Sequence, residues 1–223
     1  MSRSMGDRVI VITGGTGTLG RALAEHLKDD TVVLVARSEE KLKRVADKTG
    51  ASHQAGDISD PEQARQVATD ILKEHKKIDA LVNAVGGWAG GPLDETEPGT
   101  IERQIRSCTL APIYVTREIY PAMKEAGSGR IVNVVSQGGL CAEKHQTAYA
   151  AAKFALRGFT QSLEKEAHDF GVTVSGIYPG AFGEDESTET ELNVGEIVEG
   201  IGFILSRKPG VNVPEIGIKA TKF

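Results

Sequence analysis

The sequence is poor in cysteine and contains no long apolar run. Its 223 residues include two cysteines, Cys108 and Cys141. Their number and spacing argue against a disulfide framework or a zinc knuckle and favour a reducing compartment. No apolar stretch approaches the ~18 residues that a membrane-spanning helix needs, and the residues up to Gly6 lack the apolar core of a signal peptide. We therefore predict a cytoplasmic protein with no membrane partner.

The sequence also lacks an excess of positive charge and a histidine pattern typical of metal sites. Lysine and arginine number 26 against 31 acidic residues, which gives a formal net charge of -5, and the basic residues are scattered among the acids. Proteins that bind nucleic acid concentrate positive charge in a patch or stripe. The five histidines show no spacing expected of metal ligands. We therefore predict no nucleic-acid partner and no metal.

What the sequence does contain is a regular alternation of apolar, strand-like segments with helical segments. With 39% hydrophobic residues, the chain is long enough for one domain that buries about 70% of its unfolded surface. Runs such as TVVLVA at 31–36 are continuously apolar, which is typical of strands covered on both faces of a parallel sheet. The pattern predicts a doubly wound, three-layer α/β fold, a single domain over residues 1–223 with a mostly parallel sheet of about seven strands.

Element boundaries follow from apolar periodicity and from capping residues. Ser38 and Asp60 are expected to cap helices, Pro112 and Pro121 to bend or interrupt the longest central helix, and Pro214 to restrict the last strand to a sheet edge. The first predicted strand begins at Val9, and the others cover 31–36, 51–55, 78–83, 130–135, 172–178 and 211–218. The predicted helices cover 19–27, a segment after Ser38, 61–75, 100–126, 146–170 and 195–205.

The first strand runs directly into a glycine-rich stretch, TGGTGTLG at 13–20. Glycines permit a tight turn and a close approach of ligand to backbone, and a helix N-terminus offers free N–H groups to an anion. A tight turn without a ligand explains the same glycines, so the loop alone does not decide between the two. Because ligands of doubly wound sheets bind beyond the carboxyl ends of the strands, the segments 37–38, 83–91 and 136–139 are further candidates for ligand binding.

Ser136, Tyr149 and Lys153 are the candidates for catalysis. Tyr149 and Lys153 are four residues apart in a predicted helix, so their side chains lie on one face and can converge on one ligand. A nearby ammonium favours the phenolate, so Lys153 is expected to lower the pKa of Tyr149 toward a range useful for general acid–base catalysis. Ser136 follows a predicted strand, from which its hydroxyl can bond a substrate oxygen. The tyrosine–lysine spacing alone arises by chance in many chains.

Six segments in order resemble the short-chain dehydrogenase/reductase family, in particular its single-domain branch. The resemblance extends from Val9 to about Gly180 and covers roughly four-fifths of the chain. It is carried by TGGTGTLG at 13–20, GDISD at 56–60, IDALVNAVG at 78–86, IVNVVS at 131–136, YAAAK at 149–153 and YPG at 178–180.

The resemblance implies a Rossmann fold and hydride transfer between a nicotinamide cofactor and a small carbonyl or alcohol substrate. Tyr149 would donate the proton in reduction, Lys153 would hold the ribose hydroxyls, and Ser136 would orient the carbonyl oxygen. The resemblance also implies a homodimer or homotetramer. The cofactor-binding residues it implies are Gly14, Thr16, Gly17, Thr18, Leu19, Arg37, Ser38, Asp57, Ile58, Asn83, Ala84, Val85, Gly86, Tyr149, Lys153, Pro179, Gly180 and Phe182.

The end of the second strand bears on the choice of cofactor. An acid there would accept hydrogen bonds from the ribose 2′-hydroxyl of NAD, whereas an arginine accommodates the 2′-phosphate of NADP. The sequence VARS at 35–38 has no acid but contains Arg37, which predicts NADP, with NAD less favoured. An exposed Arg37 that touches no ligand is the competing interpretation.

Three features depart from the family pattern. Thr18 occupies the middle glycine position of the loop, and Cys108 stands where the family has an asparagine that supports a proton relay. The segment after Gly180 is short and acidic, and the family's usual substrate-covering insertion is largely missing. Each departure concerns a part of the site that handles cofactor, proton or substrate.

Because the substrate-covering insertion is largely missing, substrate specificity would depend on the loop 86–92, the turn 137–145 and Phe182. Trp88 could stack on a substrate or cover the sheet edge, and a lone histidine such as His145 is more often solvated than a ligand. Two functions remain open: an NADP-dependent oxidoreductase, and a non-catalytic NADP-binding regulator or scaffold on the same fold. The presence of serine, tyrosine and lysine together favours the enzyme.

Overall fold

The computed structural model describes residues 8–188 and 190–221 and contains nine strands and seven α-helices within those ranges. The strands are β1 (Val9–Thr13), β2 (Thr31–Ala36), β3 (Ser52–Ala55), β4 (Ala80–Asn83), β5 (Gly129–Val134), β6 (Val172–Pro179), β7 (Phe182–Gly183), β8 (Leu192–Asn193) and β9 (Glu215–Ile218). The helices are α1 (Thr18–His26), α2 (Glu39–Thr49), α3 (Pro61–His75), α4 (Pro98–Ile105), α5 (Ala111–Glu125), α6 (Thr147–Ala167) and α7 (Val194–Leu205).

Seven strands form one parallel sheet in the order β3-β2-β1-β4-β5-β6-β9. All of its pairings are parallel. The order reverses between β1 and β4, because the chain adds β2 and β3 on one side of β1 and the later strands on the other. This confirms the predicted doubly wound α/β fold, and it places a crevice at the carboxyl ends of β1 and β4.

Two hydrophobic layers cover the sheet, one on each face. Side chains alternate along a strand, so Ile10 and Ile12 of β1 pack with α1, α2 and α7, whereas Val11 packs with α3, α5 and the end of α6. All three side chains are completely buried. This burial on both faces is why the strands read as continuous apolar runs in the sequence.

The predicted helix starts on the β2–β3 side of the sheet are confirmed. The Ser38 hydroxyl accepts a hydrogen bond from the Lys41 N–H (3.4 Å), and the Asp60 carboxylate accepts one from the Gln63 N–H (2.9 Å). Each contact satisfies an N–H that the first helical turn leaves without a partner. α3 ends at His75 as predicted.

The predicted helix over 100–126 is interrupted just before Pro112, whereas Pro121 does not interrupt it. A π-helical turn, Arg106–Leu110, separates α4 from α5. Pro112 follows this turn directly, as the second residue of α5, and Pro121 lies inside α5. The wider turn adds a residue to the helical path and carries Cys108 at its middle.

The last strand is shorter than the predicted 211–218 and lies at the sheet edge, as expected from Pro214. Only Glu215–Ile218 pair with β6, although the Pro214 carbonyl still accepts a hydrogen bond from the Gly176 N–H (2.8 Å). The pair β7–β8 was not predicted, since two-residue strands leave no periodic signal. None of the helices in the described part of the chain is long and apolar enough to cross a membrane.

Candidate active site

A buried chain of polar side chains underlies the crevice. Asn83 donates from Nδ2 to Thr116 Oγ1 and to Asn133 Oδ1 (2.9 Å each) and accepts from Thr13 Oγ1 (3.4 Å). Asn133 in turn donates to Thr160 Oγ1 (2.9 Å). All five side chains are buried. The network fixes the carboxyl ends of β1, β4 and β5, and it engages the side chain of Asn83, one of the implied cofactor-binding residues.

The glycine loop joins β1 to α1 by a turn that has no room for side chains. Gly14 has a φ of 73°, and a Cβ there would lie 2.6 Å from the Ala84 carbonyl oxygen; a Cβ at Gly20 would lie 2.3 Å from the Gly14 carbonyl oxygen. Gly17 is the N-cap of α1 and contributes no side-chain cap. The first N–H groups of α1, from Thr18 onward, therefore have no acceptor within the helix.

The loop also contacts a side chain from a distant segment. Thr18 Oγ1 donates to Glu184 Oε1 (3.1 Å), and Arg21 forms an ion pair with the same carboxylate oxygen. Arg21 additionally donates to the Thr16 carbonyl oxygen (2.8 Å). Leu19, by contrast, is buried in the core, so it can offer a ligand only its backbone.

The implied adenosine-side residues lie after β2 and β3. Arg37 is exposed, and the nearest acid, Glu39, bonds His53 Nε2 (2.9 Å). The Ser38 hydroxyl already caps α2. The Asp57 carboxylate accepts from the Ser59 N–H (3.0 Å) and hydroxyl (2.7 Å), which is the arrangement of a turn. The Ile58 side chain belongs to the core.

The segment after β4 brings Cys108 to the site. Ala84 and Val85 pack against the two cores, and Gly86 has a φ of 135°. A Cβ at Gly86 would lie 3.1 Å from Cys108 Sγ and 3.7 Å from Lys153 Nζ. Cys108 is completely buried and donates from Sγ to the Gly87 carbonyl oxygen (3.5 Å). The Cys108 thiol is therefore buried and lies against Gly86 and Gly87.

The three candidate catalytic residues converge. Ser136 follows β5; its hydroxyl accepts from the Gly138 N–H (3.0 Å), and the Tyr149 ring lies beside Gly138, where a Cβ would be 3.1 Å from Tyr149 Cε1. Lys153 Nζ lies 5.7 Å from the centre of the Tyr149 ring and donates to the Val134 carbonyl oxygen (3.0 Å). Lys153 is only 4% exposed. The helical spacing in α6 thus places phenol and ammonium on one face, next to the serine at the strand end.

The pKa of Tyr149 is shifted in the direction opposite to the one predicted from the sequence. Burial raises the pKa of Tyr149, and the nearby Ser136 hydroxyl lowers it by less. Burial lowers the pKa of Lys153, while Cys108 raises the pKa of both residues. The pKa of Tyr149 is therefore raised in the protein alone, whereas the sequence predicts that Lys153 lowers it. Desolvation outweighs attraction here, since a buried site disfavours both charged forms.

Two loops on which substrate specificity is predicted to depend, 86–92 and 137–145, touch each other. The Gly91 N–H donates to the His145 carbonyl oxygen (2.8 Å). The Trp88 ring lies against Gly90, where a Cβ would be 2.4 Å from Trp88 Cζ2 and 2.8 Å from the same carbonyl oxygen. Trp88 is 66% exposed. His145 is exposed, with a φ of 63°, in agreement with a solvated imidazole.

The remaining implied residues follow β6. Pro179 is the last residue of β6, and the Gly180 N–H donates to the Ile218 carbonyl oxygen (2.7 Å). Phe182 is half-buried and packs against the core on the side of α7. Tyr178 points elsewhere, since its hydroxyl donates to Glu215 Oε1 (2.7 Å). In residues 8–188 and 190–221, no group of three or more histidine, cysteine or acidic side chains could hold a metal ion.

Sequence reasoning missed two parts of this site. The first is the pair Asn133 and Thr160, which extends the hydrogen-bond network of Asn83. The sequence signal for this network was the polar Asn133 inside the apolar run IVNVV at 131–135. Glu184 was noted only as part of an acidic segment. Its contact with Thr18 spans 166 positions, and no local pattern encodes such a pairing.

Comparison with known proteins agrees with this geometry. The profile described as short chain dehydrogenase matches residues 8–193. An uncharacterised oxidoreductase of Staphylococcus saprophyticus is 30% identical over 96% of this chain and 97% of its own length. A metagenomic short-chain oxidoreductase crystallised with NADP is 29% identical, with a TM-score of 0.87 over 99% of this chain and 100% of its own.

A short-chain dehydrogenase from Streptomyces avermitilis is 26% identical, with a TM-score of 0.86 over 95% of this chain and 88% of its own. The match of profile, sequence and fold extends across nearly the whole chain and includes every segment that forms the crevice. The chain therefore belongs to the short-chain dehydrogenase/reductase family of oxidoreductases.

Proposed function

We propose that this protein transfers a hydride between NADP(H) and a small carbonyl or alcohol substrate, with Tyr149 as the general acid or base. The observation that carries the proposal is the convergence of Ser136, Tyr149 and Lys153 beside the crevice formed by β1 and β4. A non-catalytic nucleotide-binding protein would have no use for a serine beside the phenol. Catalysis accounts for all three side chains.

The residues around the crevice fit a dinucleotide. The glycine turn sets the N-terminus of α1 at the end of β1, where unpaired N–H groups and the helix dipole favour a diphosphate. Lys153, held at the Val134 carbonyl, would hold the ribose hydroxyls. Exposed Arg37, with no acid at 36–38, supports NADP over NAD, as does the NADP complex of the metagenomic relative.

When bound, the reduced nicotinamide supplies the hydride for carbonyl reduction. The Tyr149 hydroxyl then gives its proton to the substrate oxygen, and the Ser136 hydroxyl donates a hydrogen bond that holds this oxygen in place. Because burial raises the pKa of Tyr149, the phenol stays protonated at neutral pH and is ready to act as the acid. Alcohol oxidation needs the phenolate, which the same burial disfavours.

The test is Tyr149→Phe, assayed for NADPH oxidation with a panel of aldehydes and ketones. We expect turnover to fall by about a hundredfold or more, because the proton donor is lost, while the Kd for NADP⁺ stays within about twofold. Tyr114→Phe is the matched control, since it removes the phenol of a partly buried residue of α5 that packs against the hydrophobic core, and it should retain full turnover. Binding of NAD⁺, measured in parallel, checks the cofactor preference.

The outcomes separate the two functions. Tight NADP⁺ binding without turnover on any carbonyl or alcohol would favour the regulator or scaffold. Equal turnover of Tyr149→Phe and wild type would remove Tyr149 from the mechanism. Association through the helices over 98–125 and 147–167, as a homodimer or homotetramer, remains a prediction for light scattering.

A further inference from the structure

Two departures from the family pattern meet in one contact. Thr18, at the middle glycine position of the loop, donates its hydroxyl hydrogen bond to Glu184 Oε1 (3.1 Å). Glu184 belongs to the short acidic segment that follows Gly180. Arg21, one turn into α1, forms an ion pair with the same oxygen and also donates to the Thr16 carbonyl oxygen (2.8 Å). The carboxylate is thus attached to the glycine loop by two donors.

The backbone that presents Glu184 is fixed. Asn193 Nδ2 donates to the carbonyl oxygens of Glu184 (3.1 Å) and Asp185 (2.8 Å), while Asn193 Oδ1 caps α7 through the Gly195 N–H (2.8 Å). The pair β7–β8 closes the base of the segment. The Glu184 side chain itself is 65% exposed. It can therefore rotate away from the loop while its backbone stays in place.

The carboxylate lies where the fold favours an anion. α1 has a glycine N-cap without a side-chain hydrogen bond and no acid in its first turn. A helix N-terminus stabilises nearby negative charge, and Glu184 supplies it through the hydroxyl of the first helical residue. Thr16, Thr18, Arg21 and Glu184 line one side of a cavity of about 690 Å³ between α1 and α2. A diphosphate at the same helix N-terminus would meet the same donors.

We propose that Glu184 is a positioning residue that competes with the cofactor's diphosphate for Thr18, Arg21 and the N-terminus of α1. This inference rests on the proposed function. With Glu184 in contact, the charge of Arg21 is neutralised and a second anion is repelled. When the diphosphate binds, the Glu184 side chain rotates out and Arg21 becomes available to the phosphate oxygens. The exchange weakens cofactor binding and speeds cofactor release.

The experiment compares Glu184→Gln with wild type by isothermal titration calorimetry, using NADP⁺ and, separately, inorganic pyrophosphate. Glutamine keeps the size of the side chain and removes its charge. We expect the Kd of both ligands to fall by about three- to tenfold at low ionic strength. Glu186→Gln removes the same charge two positions further on, where no contact with the loop exists, and should change either Kd by less than about twofold.

Two further readouts distinguish this competition from a structural role. The Kd difference between Glu184→Gln and wild type should shrink as salt is raised toward about 0.5 M, because exposed charges are screened. In steady state, the KM for NADPH should fall in Glu184→Gln, while kcat/KM for the carbonyl at saturating NADPH stays within about twofold. A loosened fold would impair both parameters.

The results bear separately on the two proposals. If Glu184→Gln binds pyrophosphate more tightly than wild type but neither protein binds NADP⁺ or NAD⁺, the competition stands and the proposed function fails. If Glu184→Gln binds both ligands no more tightly than wild type, or if Glu186→Gln shows an equal gain, the competition is overturned.

Discussion

At the scale of single residues, the pKa of Tyr149 should determine how the proposed reaction depends on pH. Burial raises this pKa above the ordinary tyrosine value of about 10, so the protonated acid persists through mildly alkaline solution. We expect kcat/KM for carbonyl reduction to stay flat from about pH 6 to 9, and kcat/KM for alcohol oxidation to rise across the same range as phenolate forms. Initial rates in both directions at saturating cofactor provide the measurement.

A reduction profile that falls with an apparent pKa near 7 would contradict this expectation.

The helical spacing of Tyr149 and Lys153 could be predicted from the sequence, because it depends only on α-helical geometry. The direction of their pKa shifts could not, since it depends on how completely Lys153 is enclosed by β5, α6 and the Cys108 turn. Residue identity predicts the type of chemistry, whereas burial decides which proton state is favoured.

At the scale of elements, the contact between the loop 86–92 and the turn before α6 should control substrate binding. Gly90→Ala would place a Cβ 2.4 Å from Trp88 Cζ2 and 2.8 Å from the His145 carbonyl oxygen, so the two loops must separate. We expect the KM for carbonyl substrates to rise by about tenfold, since small displacements at a substrate site are costly, with the Kd for NADP⁺ unchanged.

Gly87→Ala provides the matched control for Gly90→Ala. It adds the same methyl group to the same loop, but at a position with no atom within 4 Å. Its KM should stay within about twofold of wild type. Equal effects of the two substitutions would mean that the loop tolerates separation from the turn, and steady-state kinetics on one aldehyde suffices to decide.

Elements whose boundaries depend on local chemistry could be predicted well from the sequence. β2 and the start of α3 match their predicted residues, because a continuous apolar run and an Asp–Pro cap act over a few positions. The π-helical turn Arg106–Leu110 and the pair β7–β8 could not be predicted. Both are set by contacts with segments distant in sequence. The turn packs against α6, and β7 pairs with β8 on the other side of the acidic segment that separates them.

At the scale of the whole molecule, the buried polar chain joins the two halves of the sheet. Asn133→Ala removes the hydrogen bonds to Asn83 and Thr160 (2.9 Å each) and leaves a cavity at the sheet centre. We expect the free energy of unfolding to fall by about 2–4 kcal/mol. Urea denaturation followed by far-UV circular dichroism, at one protein concentration for all variants, measures the change.

Gln66→Ala provides the comparison for Asn133→Ala. It removes an exposed hydrogen bond to Asp70 on α3 (2.8 Å), and its effect should stay within about 0.5 kcal/mol. If the two substitutions cost the same, the polar chain contributes nothing beyond a surface contact, and the alignment of β1, β4 and β5 must come from their apolar packing alone.

Trp88 is the only tryptophan of the chain, and it lies 66% exposed on the loop beside the crevice. All tryptophan fluorescence of the protein therefore originates from one solvent-facing indole in the loop predicted to contact the substrate. Its emission will respond to events at the crevice without any attached label. Because the indole is already exposed to solvent, its red-shifted emission will change little when the protein unfolds. A thermal unfolding curve followed by tryptophan fluorescence would therefore report on a surface loop instead of the fold.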